Sequence, residues 1–504
     1  MIRFISCVVS IALLSACSHV DVKFLNNRFA TINLKAGESI LLPIEEDAPE
    51  AGIEIDGLVW NVQLSQSAVD YYLPYSAVDD VELKIKGLSF ESAFYKSVKK
   101  GNPAKTWSNP SPSIHFRPLY GWINDPNGMF YKDGVWHLFY QYNPFGAKWG
   151  NMSWGHAISH DLVNWKQCGI ALVPDELGMI FSGSAVVDEK GTAGFGKDAV
   201  VAIYTSAGVR QSQSIAYSSD GHTFEKYGSN PVLESPRPDF RDPKVIWHEE
   251  TSAWIMAVSA GDAMEFYRSV NLKDWEFASR FGEGAGNHGG VWECPDIFPL
   301  EYEGQKKWIL ISSCTRNPIL GTGSQYFVGS FDGYVFNPDS VSEKWMDYGM
   351  DHYAAVTFSN APQERRIAMA WEGNWMYAKD LPLKGWRGMM TVPRELFLME
   401  YGGELIMGSM PVREVLDKCS ANIRHFIISE ASPSLEVDGL LLHLDNNVMR
   451  AERKSDLKFS DKFNVETSVV LEDRCEHDVE VLRDKNSVEI FVDGGAVAMT
   501  FLVF

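Results

Sequence analysis

The sequence has no excess of positive charge, no C-x-x-C pair and little long helical periodicity. Forty-five basic residues stand against 66 acidic ones, a net charge of -21. That balance argues against nucleic acid or an anionic membrane surface as partner, and a neutral substrate is easier to accept. Of the seven cysteines, the five beyond Cys7 and Cys17 (Cys168, Cys294, Cys314, Cys419 and Cys475) are odd in number and widely spaced. Their spacing indicates neither a zinc site nor a disulfide framework, and small core residues are expected. The apolar run from Phe4 to Leu14 is too short to remain in a bilayer as a helix. Aromatic residues, by contrast, abound: 16 Trp, 19 Tyr and 28 Phe. Such a load suits all-β folds and sites where flat rings stack on sugars. A chain of 504 residues predicts two or three domains.

Arg3 followed by the apolar run reads as an export signal over residues 1–17. Leu14-Ser15-Ala16-Cys17 resembles the lipobox of bacterial lipoproteins, which implies lipidation at Cys17 and an anchored protein, periplasmic or on the cell surface. Residues 18–100 alternate in short runs such as "VDVKFLNN" and "VELKIKG" and predict a small β-sandwich. Residues 101–113, rich in Pro, Ser and Asn, read as a linker.

Within residues 114–400 the chain repeats itself. "SHDLVNW" from Ser159, "SSDGHTF" from Ser218, "SVNLKDW" from Ser269 and "SFDGYVF" from Ser330 recur at intervals of 59, 51 and 61 residues. Each follows an alternating apolar run, as a strand, a tight turn and another strand would. Multistranded repeats of this length predict propeller blades, and four marked copies plus an unmarked one make five. Residues 410–504, ending in "SVEIFVDGGAVAMTFLVF", predict a C-terminal β-sandwich that is short for its kind. The expected class is therefore all-β.

Three acidic residues share a local pattern. Asp125 and Asp242 directly precede Pro126 and Pro243, and Glu293 precedes Pro295 by two places. A residue before Pro is biased toward extended backbone, so each carboxylate belongs at the end of a strand, and three on separate blades would converge on the axis. Two carboxyl groups are the minimum for glycoside hydrolysis. Cys294 beside Glu293 admits a thiol nucleophile, yet no His partner is evident and packing is the expected role.

His115, Pro118 and Ile123-Asn124-Asp125-Pro126-Asn127-Gly128 together resemble the signature of glycoside hydrolase family 32, the β-fructosidases. "QYNPFGAKWGNMSWGHA", "FSGSAVV", "FRDP", "WECPD", "QYFVGSFDG" and "WEGNWMY" follow in the family's order. The resemblance implies a five-bladed catalytic propeller followed by a β-sandwich, and residues 20–100 resemble the N-terminal β domain of some fructanases of gut Bacteroidetes. It also implies roles. Asp125 would be the nucleophile, Glu293 the acid and then the base, and Asp242 with Arg241 would hold the sugar hydroxyls. Trp122, Asn124, Gln141, Trp149, Phe181 and Ser182 match the terminal fructose subsite, which Trp375 would close. Glu293, buried beside Trp292, would hold its proton near neutral pH. The implied activity is retaining release of fructose from levan or inulin, and from sucrose to some extent, with no metal or cofactor. An endo-levanase or invertase would share the carboxylates, and a fructan-binding protein on an inactive scaffold would have lost them.

Overall fold

The computed structural model describes residues 20–101 and 113–504. The expected signal, Cys17 and most of the expected linker lie outside the described residues. Strands dominate, and the α-helices among the described residues, Ala93–Ser97 and Arg413–Lys418, are short.

The first described segment folds as two sheets. One runs in the order Val22–Asn26, Phe29–Leu34, Val81–Lys86, Ala51–Ile55, Leu58–Val62, and the other pairs Ser39–Ile44 with Tyr71–Ser76 and Lys99–Lys100. Alternate residues point inward, so Ile32, Ile53, Trp60, Leu73 and Ile85 form one core. Phe145, from the central part of the chain, inserts into that core against Trp60, ring centroids 5.0 Å apart.

Between Gly121 and Pro411 lie five sheets, antiparallel and built mainly from consecutive strands, except that Trp386–Arg387 adds to the first sheet in parallel beside Gly121–Lys132. Their leading strands are Gly121–Lys132, Met179–Asp188, Phe240–His248, Glu293–Tyr302 and Tyr353–Thr357. Each leading strand packs on the next, and the fifth returns to the first. Ser359 closes this ring, donating its N–H to Met129 O (2.8 Å) and accepting from Tyr131 N–H (3.0 Å). The strand Glu404–Pro411 completes the fifth sheet, which therefore extends past the expected boundary at 400.

The repeated heptapeptides are Asx turns. Asp161, Asp220, Asn271 and Asp332 each accept, through Oδ1, the N–H groups two and three residues ahead, at 2.7–3.0 Å. The following residue is left-handed in every copy: Leu162 (φ 58°), Gly221 (73°), Leu272 (62°) and Gly333 (86°). The recurring Asp or Asn then Leu or Gly is thus a turn chemistry, with the acceptor fixed and the left-handed position tolerated at a cost.

Two four-stranded sheets follow. Ile423–Ser429, Glu476–Arg483, Ser487–Val492 and Val497–Leu502 form one, and Ser434–Val437, Leu440–Asp445, Val448–Arg453 and Thr467–Val470 the other. They share a core, with Ile428, Val479 and Ile490 on one side and Leu442, Leu444 and Met449 on the other. Buried charges join these sheets to the ring. Arg394 binds Asp347 (2.9 Å) and Glu489 (2.8 Å through Nε), and His115 binds Glu489 (2.8 Å) and Asp484 (3.0 Å).

Candidate active site

Three of the leading strands carry an acidic residue at their ring end, and backbone irregularity aims the side chains. The pairing register breaks between Arg241 and Lys244, between Glu293 and Asp296, and between Tyr353 and Val356. At those breaks Asp242 (φ 65°), Cys294 (47°) and Ala354 (57°) are left-handed. A bulge of this kind turns a side chain that a regular strand would commit to a sheet face, and the cost of a left-handed non-glycine residue marks the position. Gly128 (φ 49°) serves the first strand. A Cβ there would lie 2.6 Å from the indole of Trp154, so glycine is required on both counts.

The carboxylates converge around Cys294. Its Sγ lies 3.6 Å from Asp125 Oδ2 and 3.7 Å from Asp242 Oδ2, and its N–H donates to Asp242 Oδ2 at 3.1 Å. Ser182 Oγ donates to Asp125 Oδ2 at 2.8 Å, while Asp125 Oδ1 is buried without a hydrogen-bond partner. Arg241 joins the group from the side. Its Nε and Nη2 donate to Glu293 Oε1 (3.0 and 2.9 Å), its Nη1 donates to Asp239 (2.7 Å), and its Nε lies 4.0 Å from Asp242 Oδ2. Tyr353 Oη donates to Glu293 Oε2. Below the carboxylates the axis is nearly filled. Pro126, Pro243, Pro295 and Thr357 leave a void of about 10 Å³, close to the room for one water. Lys244 seals it, paired with Asp296 (3.0 Å). A cavity of about 430 Å³ lined by Trp247, Trp308, Phe358 and Arg366 also exists, but no member of the acidic group lines it.

Electrostatics follow from that crowding. Burial raises the pKa of Asp125, and the nearby Glu293 charge raises it further. Burial likewise lifts Asp242 to about 7, against the pull of Arg241, with Glu293 and Asp125 adding to the rise. Burial and the surrounding carboxylates hold the Cys294 thiol well above its ordinary range, so it is a neutral packing group, not a thiolate nucleophile.

The expectation of a buried Glu293 is corrected. Its side chain is 27% exposed and is clasped by Arg241 and Tyr353. Trp292 turns instead into its own sheet, stacked between His288 and Phe327. Of the three acids, Asp242 is the buried one, at 5% exposure.

The other expected residues divide into two groups. Trp122 is buried, its Nε1 donating to Asn124 Oδ1 at 2.8 Å. Trp375 stacks on it, centroids 5.9 Å apart, and is 38% exposed. Trp149, 45% exposed, stands edge-on to Phe181 at 6.0 Å. Trp375 and Trp149 form an apolar rim, with Trp122 buried beneath Trp375. Gln141, expected to face a ligand, is a buried amide, and its N–H and Nε2 both donate to Asn127 Oδ1 at 3.0 Å. Asn127 in turn donates to Ser182 Oγ at 3.2 Å, so Gln141 supports the residue that holds Asp125. Asn124 is buried as well, with its carbonyl committed to Trp122.

Sequence reasoning did not single out Tyr353. The fifth sheet carries no marked heptapeptide, although the rule that found the acids, the ring end of a leading strand, applies to "DHYAAV" equally.

A ring of antiparallel sheets with three carboxylates and a guanidinium converging at its axis, under a rim of tryptophans, defines a propeller-type glycosyl hydrolase scaffold. Residues 115–409 match the family model "Glycosyl hydrolases family 32 N-terminal domain", and the chain belongs to that family. A levanase of Bacillus subtilis (strain 168) is 48% identical over 337 residues, covering 64% of this chain and 50% of its own. The chain thus spans about half the length of that relative. Among solved structures, an exo-inulinase from Aspergillus awamori superposes with a TM-score of 0.70 at 32% identity, over 79% of this chain and 94% of its own. A fructofuranosidase from Schwanniomyces occidentalis complexed with fructose gives a TM-score of 0.70 at 32% identity, over 78% and 92%.

Proposed function

We propose that the protein is a retaining fructosidase that releases terminal fructose from β-fructans such as levan or inulin, and from sucrose to a lesser degree. The observation that carries this reading is the meeting of Asp125, Asp242 and Glu293 around Cys294, with Asp125 Oδ1 left without a partner. Family membership and the names of the relatives agree with it.

In the first step the Asp125 carboxylate attacks the anomeric carbon of the terminal fructosyl unit. The glycosidic C–O bond breaks, and Glu293 gives its proton to the leaving oxygen. In the second step Glu293 takes a proton from water. That water attacks the same carbon, the bond to Asp125 breaks, and Asp125 returns as a carboxylate. Two inversions leave the configuration retained. Asp242, ionised, accepts hydrogen bonds from sugar hydroxyls, and Arg241 holds Glu293 in place. Trp375, backed by the buried Trp122, faces the sugar as a platform, and Trp149 with Phe181 borders the leaving chain. In this reading the five sheets are propeller blades, the last two sheets a β-sandwich, and the first segment a separate β domain. Export and lipidation at Cys17 would hold the enzyme where polymeric substrate is met, and Cys17→Ala would release it from the membrane fraction.

The test is incubation of the purified protein with levan, inulin and sucrose, with Asp125→Ala as control. Fructose as the sole early product, released as the retained anomer, supports exo action. An oligosaccharide ladder would instead indicate endo cleavage, and equal behaviour of wild type and control would leave a binding protein.

A further inference from the structure

A group of three histidines lies outside the catalytic constellation. His137 is on the strand Val135–Asn143, His156 on its neighbour Ser153–Ser159, and His222 in the Asx turn after Gln211–Ser218. His137 Nδ1 and His156 Nε2 are 3.1 Å apart, and one ligating atom from each of the three rings falls within 4.8 Å of the others. The His222 ring centroid is 5.1 Å from that of His137 and 5.3 Å from that of His156.

We propose that His137, His156 and His222 form a zinc-binding site that fastens the turn of the second sheet to the first sheet. Zinc is bound tetrahedrally with Zn–N of about 2.0–2.1 Å, which sets two ligand nitrogens about 3.3 Å apart. The buried pair therefore already has nearly the required spacing. The rings are held there by packing. Phe130 stacks on His137 and Phe139 on His156, both with centroids 4.3 Å apart and planes within 11°. Gly221 lies against the Cε1–Nε2 edge of His137, and its backbone hydrogen-bonds that ring. An outer backbone partner of this kind fixes ring orientation in histidine ligands and leaves the opposite nitrogen for the metal. Neutral imidazole is the ligating form, and zinc is among the metals it suits.

His222 supplies access. It is exposed, and its ligating atom lies within 4.8 Å of those of the buried pair, so zinc in solution can reach the group from this side. The repeat shows this residue to be a local addition: the equivalent positions of the other turns hold Val163, Lys273 and Tyr334. A metal here would tie two consecutive sheets of the ring by a bond that the Asx turn alone does not make.

The experiment uses the untagged full chain, freed of metal by a chelator and titrated with zinc chloride by calorimetry and thermal melting. One equivalent should bind, raising Tm, and cobalt(II) in its place should give the visible bands of a tetrahedral histidine site. His222→Ala, a change at an exposed turn residue, should weaken zinc at least tenfold and abolish those bands, with fructan cleavage unchanged. His156→Gln should do the same if it folds, but His222→Ala carries the test. Absence of stoichiometric zinc binding by the wild type, or unchanged affinity in His222→Ala, would overturn the proposal.

Discussion

Replacing Arg241 by Met removes the cation nearest the three carboxylates while keeping much of the side chain's bulk. Its Nε lies 4.0 Å from Asp242 Oδ2, and both side chains are largely buried, 12% and 5% exposed. Two unit charges at that distance interact by about 4 kcal/mol at an effective dielectric constant of about 20. Spread over the ionisation of Asp242, that is about three pH units. Asp242 already stands at about 7 because of burial and despite Arg241. Loss of the cation pushes it higher, so at neutral pH the carboxyl is protonated, one of its oxygens becomes a donor, and the charge-assisted hydrogen bonds from sugar hydroxyls are lost. Water entering the vacated space recovers part of the interaction, which brings the expected displacement to between about one and three pH units. The assay is the pH profile of kcat/KM for fructose release. In Arg241→Met the acidic limb should move to higher pH, with activity returning as pH rises. Arg241→Lys keeps the charge and loses the paired contact with Glu293, so it should lower the plateau and leave the limb near its original position. A limb that stays in place in Arg241→Met, with only the plateau reduced, would refute the electrostatic reasoning and make Arg241 a positioning group alone.

Tyr353→Phe removes one hydrogen bond to Glu293 at nearly constant volume. A bond to a charged group contributes about 1.5–3 kcal/mol, so kcat/KM should fall by about tenfold to a hundredfold with Tm nearly unchanged. An unaltered rate would remove Tyr353 from the site. His115→Gln should destabilise the junction between the ring and the C-terminal sheets by about 1.5–3 kcal/mol, because it removes the charged hydrogen bonds that tie Asp484 to Glu489, which then keep only Ser113 and Arg394 as side-chain partners. Although burial works against it, contact with Asp484, Glu372 and Glu489 raises His115 from 6.5 to about 10. That contribution is whole below about pH 6.5 and is lost as pH climbs through 10. Asp484 is lowered despite burial, through His115, so its share is present above its ordinary 3.8 and lost in acid. Denaturant melts across pH should show both slopes in the wild type and flatter ones in the variant. Gly128→Ala should cost at least about 2 kcal/mol, from the left-handed backbone and the approach to Trp154, read as a lower Tm or loss of soluble protein.

What the sequence determined by itself was local. The heptapeptide repeat was legible because an Asx turn is made within four residues, and its left-handed fourth position restricts the choice to Leu or Gly here. The β-rich alternation and the three acids ahead of their prolines were legible for the same reason, since backbone preference acts on neighbours. The family blocks then supplied roles that spacing alone left open. Tertiary structure decided what depends on distant partners. Arg241 reaches Glu293 across 52 residues, Tyr353 reaches it across 60, and Cys294 meets Asp125 across 169. The separations of 52 and 60 follow the repeat intervals of 51 and 61, so the repeat places these residues at like points of successive sheets, but only sheet packing around an axis brings their side chains together. The same holds for Glu293, where the sequence neighbour Trp292 suggested burial but Trp292 precedes the strand and packs into the sheet core, while Glu293 at the strand's start stays partly exposed. It holds too for the three histidines, 19 and 66 residues apart, which only the contact between the first and second sheets brings together.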